Sequence, residues 1–245
     1  MKLSSKPHFH NGRVDPGKRE WFSLKKDTQE ILIYDEIGRG FFGGGVSAED
    51  FVEEVQGLSL SSGDTLRVRL NSPGGDLWDG NTIYNYLRSQ PFHVNMHIDG
   101  VAASAASIVA MAGDTISMPE NSFLMIHNPW MFAAGDANTF RKVADDLDRV
   151  REGAVSTYAS RTNLPRDELV QMLDEETWIG ANQAVEMGFA DEVTDAVQVA
   201  AMLKFDYESY GFHTPQALTE QERKEQESLK QMRVDWSIMN SAARR

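Results

Sequence analysis

Three short strings between residues 71 and 129 hold residue types that together could break an acyl bond: Asn71-Ser72-Pro73-Gly74-Gly75, Gly100-Val101-Ala102-Ala103-Ser104 and Met125-Ile126-His127-Asn128-Pro129. A serine hydroxyl is a poor nucleophile at neutral pH until a base takes its proton and hydrogen-bond donors stabilise the oxyanion that forms. Ser104 offers the hydroxyl where a strand gives way to a helix of small residues, and His127, at a strand end, offers the base. The N–H of Ala105 falls at the positive end of that helix. Gly74 and Gly75, lacking Cβ atoms, allow a second N–H to come close. Singly, each residue is ordinary: a serine in an Ala-rich helix usually caps or packs, a lone histidine is usually structural, and Gly-Gly is usually a turn. Their order and joint occurrence carry the reading. Ser107, one turn on, suits packing, while His93 and His97 alternate with the apolar side of their strand and read as exposed.

Periodicity supplies the elements that must position these residues. Glu30 to Tyr34 reads as a strand, and Ile37 to Gly45, with five glycines, as a loop. Ser47 caps a helix carrying Phe51, Val52 and Val55 at helical spacing. Leu66, Val68 and Leu70 alternate with Arg67 and Arg69, so a strand with one buried face runs into the glycine turn. Leu77, Ile83, Tyr84 and Leu87 mark a helix; Val94, Met96 and Ile98 mark a strand ending at Asp99-Gly100. The residues from Ser104 to Ala112 read as helix, and 115–118 and 123–126 as short strands. A long amphipathic helix spans 138–161, followed by helices over 166–173 and 181–187, the last stopped by Gly188. Strands separated by helices imply crossover connections, hence an α/β fold with a mainly parallel sheet covered by helices.

Composition narrows the classes. The chain has 245 residues, 41% of them hydrophobic, enough for one sizeable core with tails. Its net charge of −13 is unevenly spread. A basic arm over 1–27 precedes an acidic body over 28–205, where eleven Lys/Arg face twenty-seven Asp/Glu, and a tail over 206–245 could be helical. Such a body disfavours nucleic acid as the main partner, since phosphate contacts need a positive face. Cysteine is absent, which removes disulfides, thiolate metal sites and a cysteine nucleophile. No apolar run is long enough to span a bilayer or to form a signal peptide, so a soluble, cytoplasmic protein that makes no membrane contact is expected.

From Ile31 to about Val193 the chain resembles the ClpP family, the proteolytic subunit of the caseinolytic protease, and most of all its phage-associated branch of head maturation proteases. The three strings above carry the resemblance, together with Trp178-Ile179-Gly180-Ala181 and Ala184-Val185-Glu186-Met187-Gly188. The resemblance implies a ClpP/crotonase-like fold with a long handle helix. It implies a serine endopeptidase acting through an acyl-enzyme, with Ser104 as nucleophile, His127 as base, and the N–H groups of Gly75 and Ala105 as the oxyanion hole. The family's aspartate aligns with Glu176, and Asp174 is the alternative carboxylate. Substrate would be an extended polypeptide lying along Gly74, Gly75, Asp76 and Leu77 on one side and Asn128, Pro129 and Trp130 on the other. Implied partners are a homo-oligomeric ring, an AAA+ unfoldase or phage capsid and scaffold proteins; no metal or organic cofactor is called for. Two rival readings share the fold class: a crotonase-like acyl-CoA enzyme, and a ring-forming assembly protein without activity.

Overall fold

The computed structural model describes residues 24–25, 29–39 and 45–195. The tail over 206–245 and all but Leu24 and Lys25 of the arm over 1–27 lie outside the described residues. Strands are β1 (Leu24–Lys25), β2 (Glu30–Ile33), β3 (Thr65–Ser72), β4 (His93–Ala103), β5 (Thr115–Pro119), β6 (Phe123–Ile126), β7 (Thr177–Gly180) and β8 (Glu192–Thr194). Helices are α1 (Ala48–Gly57), α2 (Leu77–Arg88), α3 (Ala105–Ala110), α4 (Ala137–Ala159), α5 (Arg166–Asp174) and α6 (Ala181–Met187). The strands form one sheet in the order β1-β2-β3-β4-β5-β8, with β6 joined to β4 and β7 to β6. Pairing is parallel throughout except β1 with β2 and β6 with β7.

Alternation decides which face is covered. In β3, Leu66, Val68, Leu70 and Ser72 are fully buried, and in β4 so are Val94, Met96 and Ile98, together with residues of α1, α2 and α3 in one apolar core. The opposite face of the same strands carries Arg67, Arg69, Asn95 and His97, with Arg69 in register with His97. There Asp99, almost wholly buried, accepts hydrogen bonds from the Tyr34 hydroxyl and from the Arg69 guanidinium. His97 was expected to be exposed, but its ring is half-buried, bonded to Ser117 Oγ at 2.7 Å and 3.5 Å from Asp99. Burial lowers its pKa from the ordinary histidine value, against the raising effect of Asp99.

One departure from the sequence reading shapes the site. β4 does not end at Asp99-Gly100 but runs on to Ala103 and changes neighbour on the way. Asn95 to His97 pair with β5, whereas Val101 to Ala103 pair with β6, so the sheet forks. The neighbouring strand makes this workable: β3 shifts register between Leu70 and Ser72, and the Asn71 side chain fills the gap by accepting the Val101 N–H at 3.2 Å. A polar side chain thus stands in for a missing ladder bond. α4 is the other outlier, for its buried residues are confined to Ala154, Val155, Thr157 and Tyr158, all near the C-terminal end.

Candidate active site

Strand register brings the chemistry together. Ala103 pairs with Met125, and the Ser104 N–H continues the ladder to the Met125 carbonyl at 2.9 Å, which sets Ser104 beside the end of β6. β7 runs antiparallel on the other side of β6 with Ile126 opposite Thr177, so the next residues out, His127 and Glu176, face one another. Three strand ends therefore deliver a serine, a histidine and a glutamate to one spot.

The local backbone at Ser104 is unusual for a residue with a side chain. Its φ of 53° and ψ of −126° lie in a region that L residues rarely occupy. Ser104 starts α3 as its N-cap, yet its hydroxyl makes no capping bond. Instead Ser104 Oγ lies 2.8 Å from His127 Nε2. The far side of the ring, Nδ1, is 4.0 Å from Glu176 Oε2, an ion-pair separation. Glu176 is also held at positive φ, 49°, where the chain turns from α5 into β7. The His127 side chain is about one-tenth exposed, and burial holds its imidazole below the ordinary histidine pKa while the Glu176 carboxylate draws it back up. A base that is neutral near pH 7, aimed at a hydroxyl, is the arrangement that proton abstraction requires.

Asp174, the alternative carboxylate, goes elsewhere. It accepts a hydrogen bond from Asn128 Nδ2 at 2.7 Å, lies 3.4 Å from Arg151 and is about half exposed. In the β6–β7 register it sits two residues beyond the position that faces His127.

The glycine turn is packed against the serine. A Cβ on Gly74, whose φ is 94°, would come within 2.8 Å of Ser104 Cβ and 2.9 Å of the Ala105 nitrogen. On its other side the turn is pinned to Ile37, whose N–H donates to the Gly74 carbonyl at 2.6 Å and whose carbonyl accepts from the Asp76 N–H at 2.8 Å. In that parallel bridge Gly75's own N–H points away from Ile37, and as the first residue of α3 Ala105 has no intrahelical acceptor. Two N–H groups are thus left over, one from the turn and one from the helix start. In the sequence Ile37 stands out only as the start of a glycine-rich loop, because backbone groups of a loop leave no side-chain pattern.

The expected peptide track is shorter than anticipated. Asp76 is the N-cap of α2, its carboxylate accepting from the Trp78 and Asp79 N–H groups at 2.8 and 2.9 Å, and Leu77 is already helical. A helical residue cannot offer a strand edge, so extended backbone on this side ends at Asp76. On the other side Asn128, Pro129 and Trp130 follow His127 without regular secondary structure, and Trp130, Met131 and Phe132 are largely exposed, with Trp130 and Phe132 stacked edge to face. Ser107 is fully buried, its hydroxyl bonded to the Ser104 carbonyl and to Tyr158 Oη, in keeping with a packing role.

A parallel-sheet scaffold with serine and histidine at adjacent strand ends and paired N–H groups beside them defines a serine hydrolase class. The chain belongs to the Clp protease family, whose model matches residues 27–197, and is a serine-type peptidase. It is 26% identical over 178 residues to the ATP-dependent Clp protease proteolytic subunit 1 of Protochlamydia amoebophila, a match covering 70% of this chain and 83% of that protein. It is 28% identical over 184 residues to the ATP-dependent Clp protease proteolytic subunit 2 of Treponema pallidum, covering 74% and 89%. Among solved structures, a ClpP1 mutant from Listeria monocytogenes superposes with a TM-score of 0.59 at 26% identity, over 69% of this chain and 93% of that one.

Proposed function

We propose that this chain is an endopeptidase in which Ser104 is the nucleophile, His127 the general base and Glu176 the carboxylate that orients the ring. Ser104 Oγ attacks the scissile carbonyl as His127 Nε2 takes its proton. The carbonyl oxygen, now negative, is received by the N–H groups of Gly75 and Ala105, each donor worth about 2.7–4 kcal/mol in comparable sites. The imidazolium then protonates the leaving amine, and water, activated by the same ring, releases the acyl group from Ser104. Glu176 stabilises the charged ring and fixes its tautomer, with Nδ1 carrying the hydrogen.

The observation that carries this reading is the 2.8 Å contact between Ser104 Oγ and His127 Nε2 on a serine whose hydroxyl is withheld from capping its own helix. Substrate is an extended polypeptide laid between residues 74–76 and 128–131, its backbone adding to strand edges so that sequence matters little. The relatives' kinship supports a ring of subunits and an ATP-driven unfoldase as partner. The resemblance of the sequence blocks to phage head maturation proteases supports a role on capsid or scaffold proteins in the cytoplasm of an infected cell, a role that flanking portal and capsid genes would accompany.

The test of mechanism is covalent. A fluorophosphonate should label Ser104 and no other residue, and Ser104→Ala should lose both label and peptide hydrolysis; label on another serine, or retained hydrolysis, sinks the proposal. Intact rings with no label on Ser104 would favour the assembly reading instead.

A further inference from the structure

A peptide unit flanked by two glycines can turn over with little cost to the chain around it, since no Cβ blocks the alternative dihedrals. For the Gly74–Gly75 peptide that freedom is dangerous. Because the unit is planar and trans, its carbonyl and N–H point in opposite directions. A flip would put the Gly74 carbonyl oxygen where the Gly75 N–H now points, an acceptor in place of a donor.

The structure holds the unit through a closed circuit of hydrogen bonds. The Ile37 N–H grips the Gly74 carbonyl at 2.6 Å, which by planarity aims the Gly75 N–H the other way. Ile37 is itself set by its neighbours in the strap, where the Asp35 carboxylate accepts the Glu36 N–H at 2.8 Å and the Glu36 carbonyl accepts the Val46 N–H at 2.7 Å. Ser72 closes the circuit. Fully buried at the end of β3, its hydroxyl donates to the Asp35 carbonyl at 2.6 Å and accepts the Gly74 N–H at 3.1 Å. A single side chain therefore ties both ends of the clamp: the strap that grips the turn, and the turn that is gripped. A serine present only to fill space would not need to bond both.

We propose that Ser72 is a positioning residue for the oxyanion site, its hydroxyl locking the Pro73–Gly74–Gly75 turn in the orientation that presents the Gly75 N–H. The inference rests on Gly75 being an oxyanion donor. Ser72 touches neither substrate nor Ser104; it acts through the peptide it restrains.

Removing one oxyanion donor outright lowers kcat by about a hundredfold to a thousandfold, and loosening one should cost less. Ser72→Ala is expected to lower kcat on a fluorogenic peptide about ten- to a hundredfold with KM changed less than about twofold, because the donor acts on the transition state and not on the bound peptide. The rate of fluorophosphonate labelling should fall in step, while the acid midpoint of kcat/KM against pH, which reports His127, stays where it was. Ser72→Cys, of similar size but a weaker donor, should fall between alanine and wild type. If Ser72→Ala does not fold, Ser72→Cys carries the test alone: a severalfold loss of kcat at unchanged KM supports the proposal, and wild-type kcat overturns it. A Ser72→Ala protein that melts earlier but keeps kcat well below its melting temperature also overturns it, leaving a purely structural serine. A wild-type chain that takes no label at Ser104 fails earlier, at the catalytic reading itself, and takes this inference with it.

Discussion

A buried imidazole resists protonation, and that resistance sets how His127 responds to pH. In the proposed mechanism only the neutral ring can accept the Ser104 proton, so activity should be gained as pH rises through the His127 pKa. Burial lowers that pKa from the ordinary histidine value, so the acid midpoint of kcat/KM should fall below that of a free imidazole. The Glu176 carboxylate works against burial, raising the pKa, so Glu176→Gln should move the midpoint lower still. The same change removes the group that orients the ring and balances its charge, and kcat should fall by about a hundredfold or more, by analogy with other triads stripped of their acid. Asp174→Asn separates the two carboxylates. An asparagine oxygen can still accept from Asn128, so kcat should stay within about threefold of wild type; a collapse at Asp174 with tolerance at Glu176 would reverse the assignment. Steady-state kinetics from pH 5 to 9 on the two variants reads both outcomes.

At the scale of elements, α3 is anchored to α4 by one hydroxyl pair, Ser107 Oγ and Tyr158 Oη, 2.8 Å apart and both buried. Burial raises the Tyr158 pKa above the ordinary phenol value, so the group stays neutral and is a fixed hydrogen-bonding partner. Ser107→Ala leaves the tyrosine hydroxyl buried without its partner and should destabilise by about 1–3 kcal/mol in urea unfolding. Adding Tyr158→Phe removes the orphan, so the double variant should recover part of that loss; additive losses would mean the pair is not coupled. Elements of this kind were only partly legible in the sequence. Alternation in β3 marked its buried face, the spacing of the long helix marked an apolar stripe that is buried only near its C-terminal end, and the ends of β6 and α6 fell where the residue types suggested. β7 and β8, four and three residues long, are too short to show a period. The run of β4 through Asp99-Gly100 was hidden because a glycine after an aspartate looks like a turn, and the partners that continue the strand, β6 and the Asn71 side chain, are distant in sequence. Ser104, His127 and the glycines are named in the sequence by their strings, whereas the placing of Glu176 opposite His127 depends on a register that no local pattern encodes.

At the scale of the molecule, the first two-thirds of α4 has no fully buried side chain among the described residues. Phe140 is half exposed, and Trp130, Met131 and Phe132 add more uncovered apolar surface just before the helix. Apolar area of this kind is the usual mark of an interface. In the proposed ring it meets other subunits, so Phe140→Glu should reduce assembly in sedimentation velocity while leaving the far-ultraviolet circular dichroism unchanged; assemblies of wild-type size would remove this face from the interface.

The route of the chain between β6 and β7 gives that surface a second meaning. The excursion through α4 and α5 departs at His127 and returns at Glu176, two residues that face each other across the β6–β7 ladder. Its stem is cinched by the Asn128 N–H on the Leu173 carbonyl at 3.1 Å, by Asn128 on Asp174 and by Asp174 on Arg151. The ends of the excursion are thus the two residues proposed as base and acid. In the proposed ring, a load that a neighbouring subunit puts on α4 would be carried to this stem, and so to the spacing between His127 and Glu176. By this route, dilution below the assembly threshold should silence the proposed peptidase while its subunits stay folded, read as hydrolysis against protein concentration.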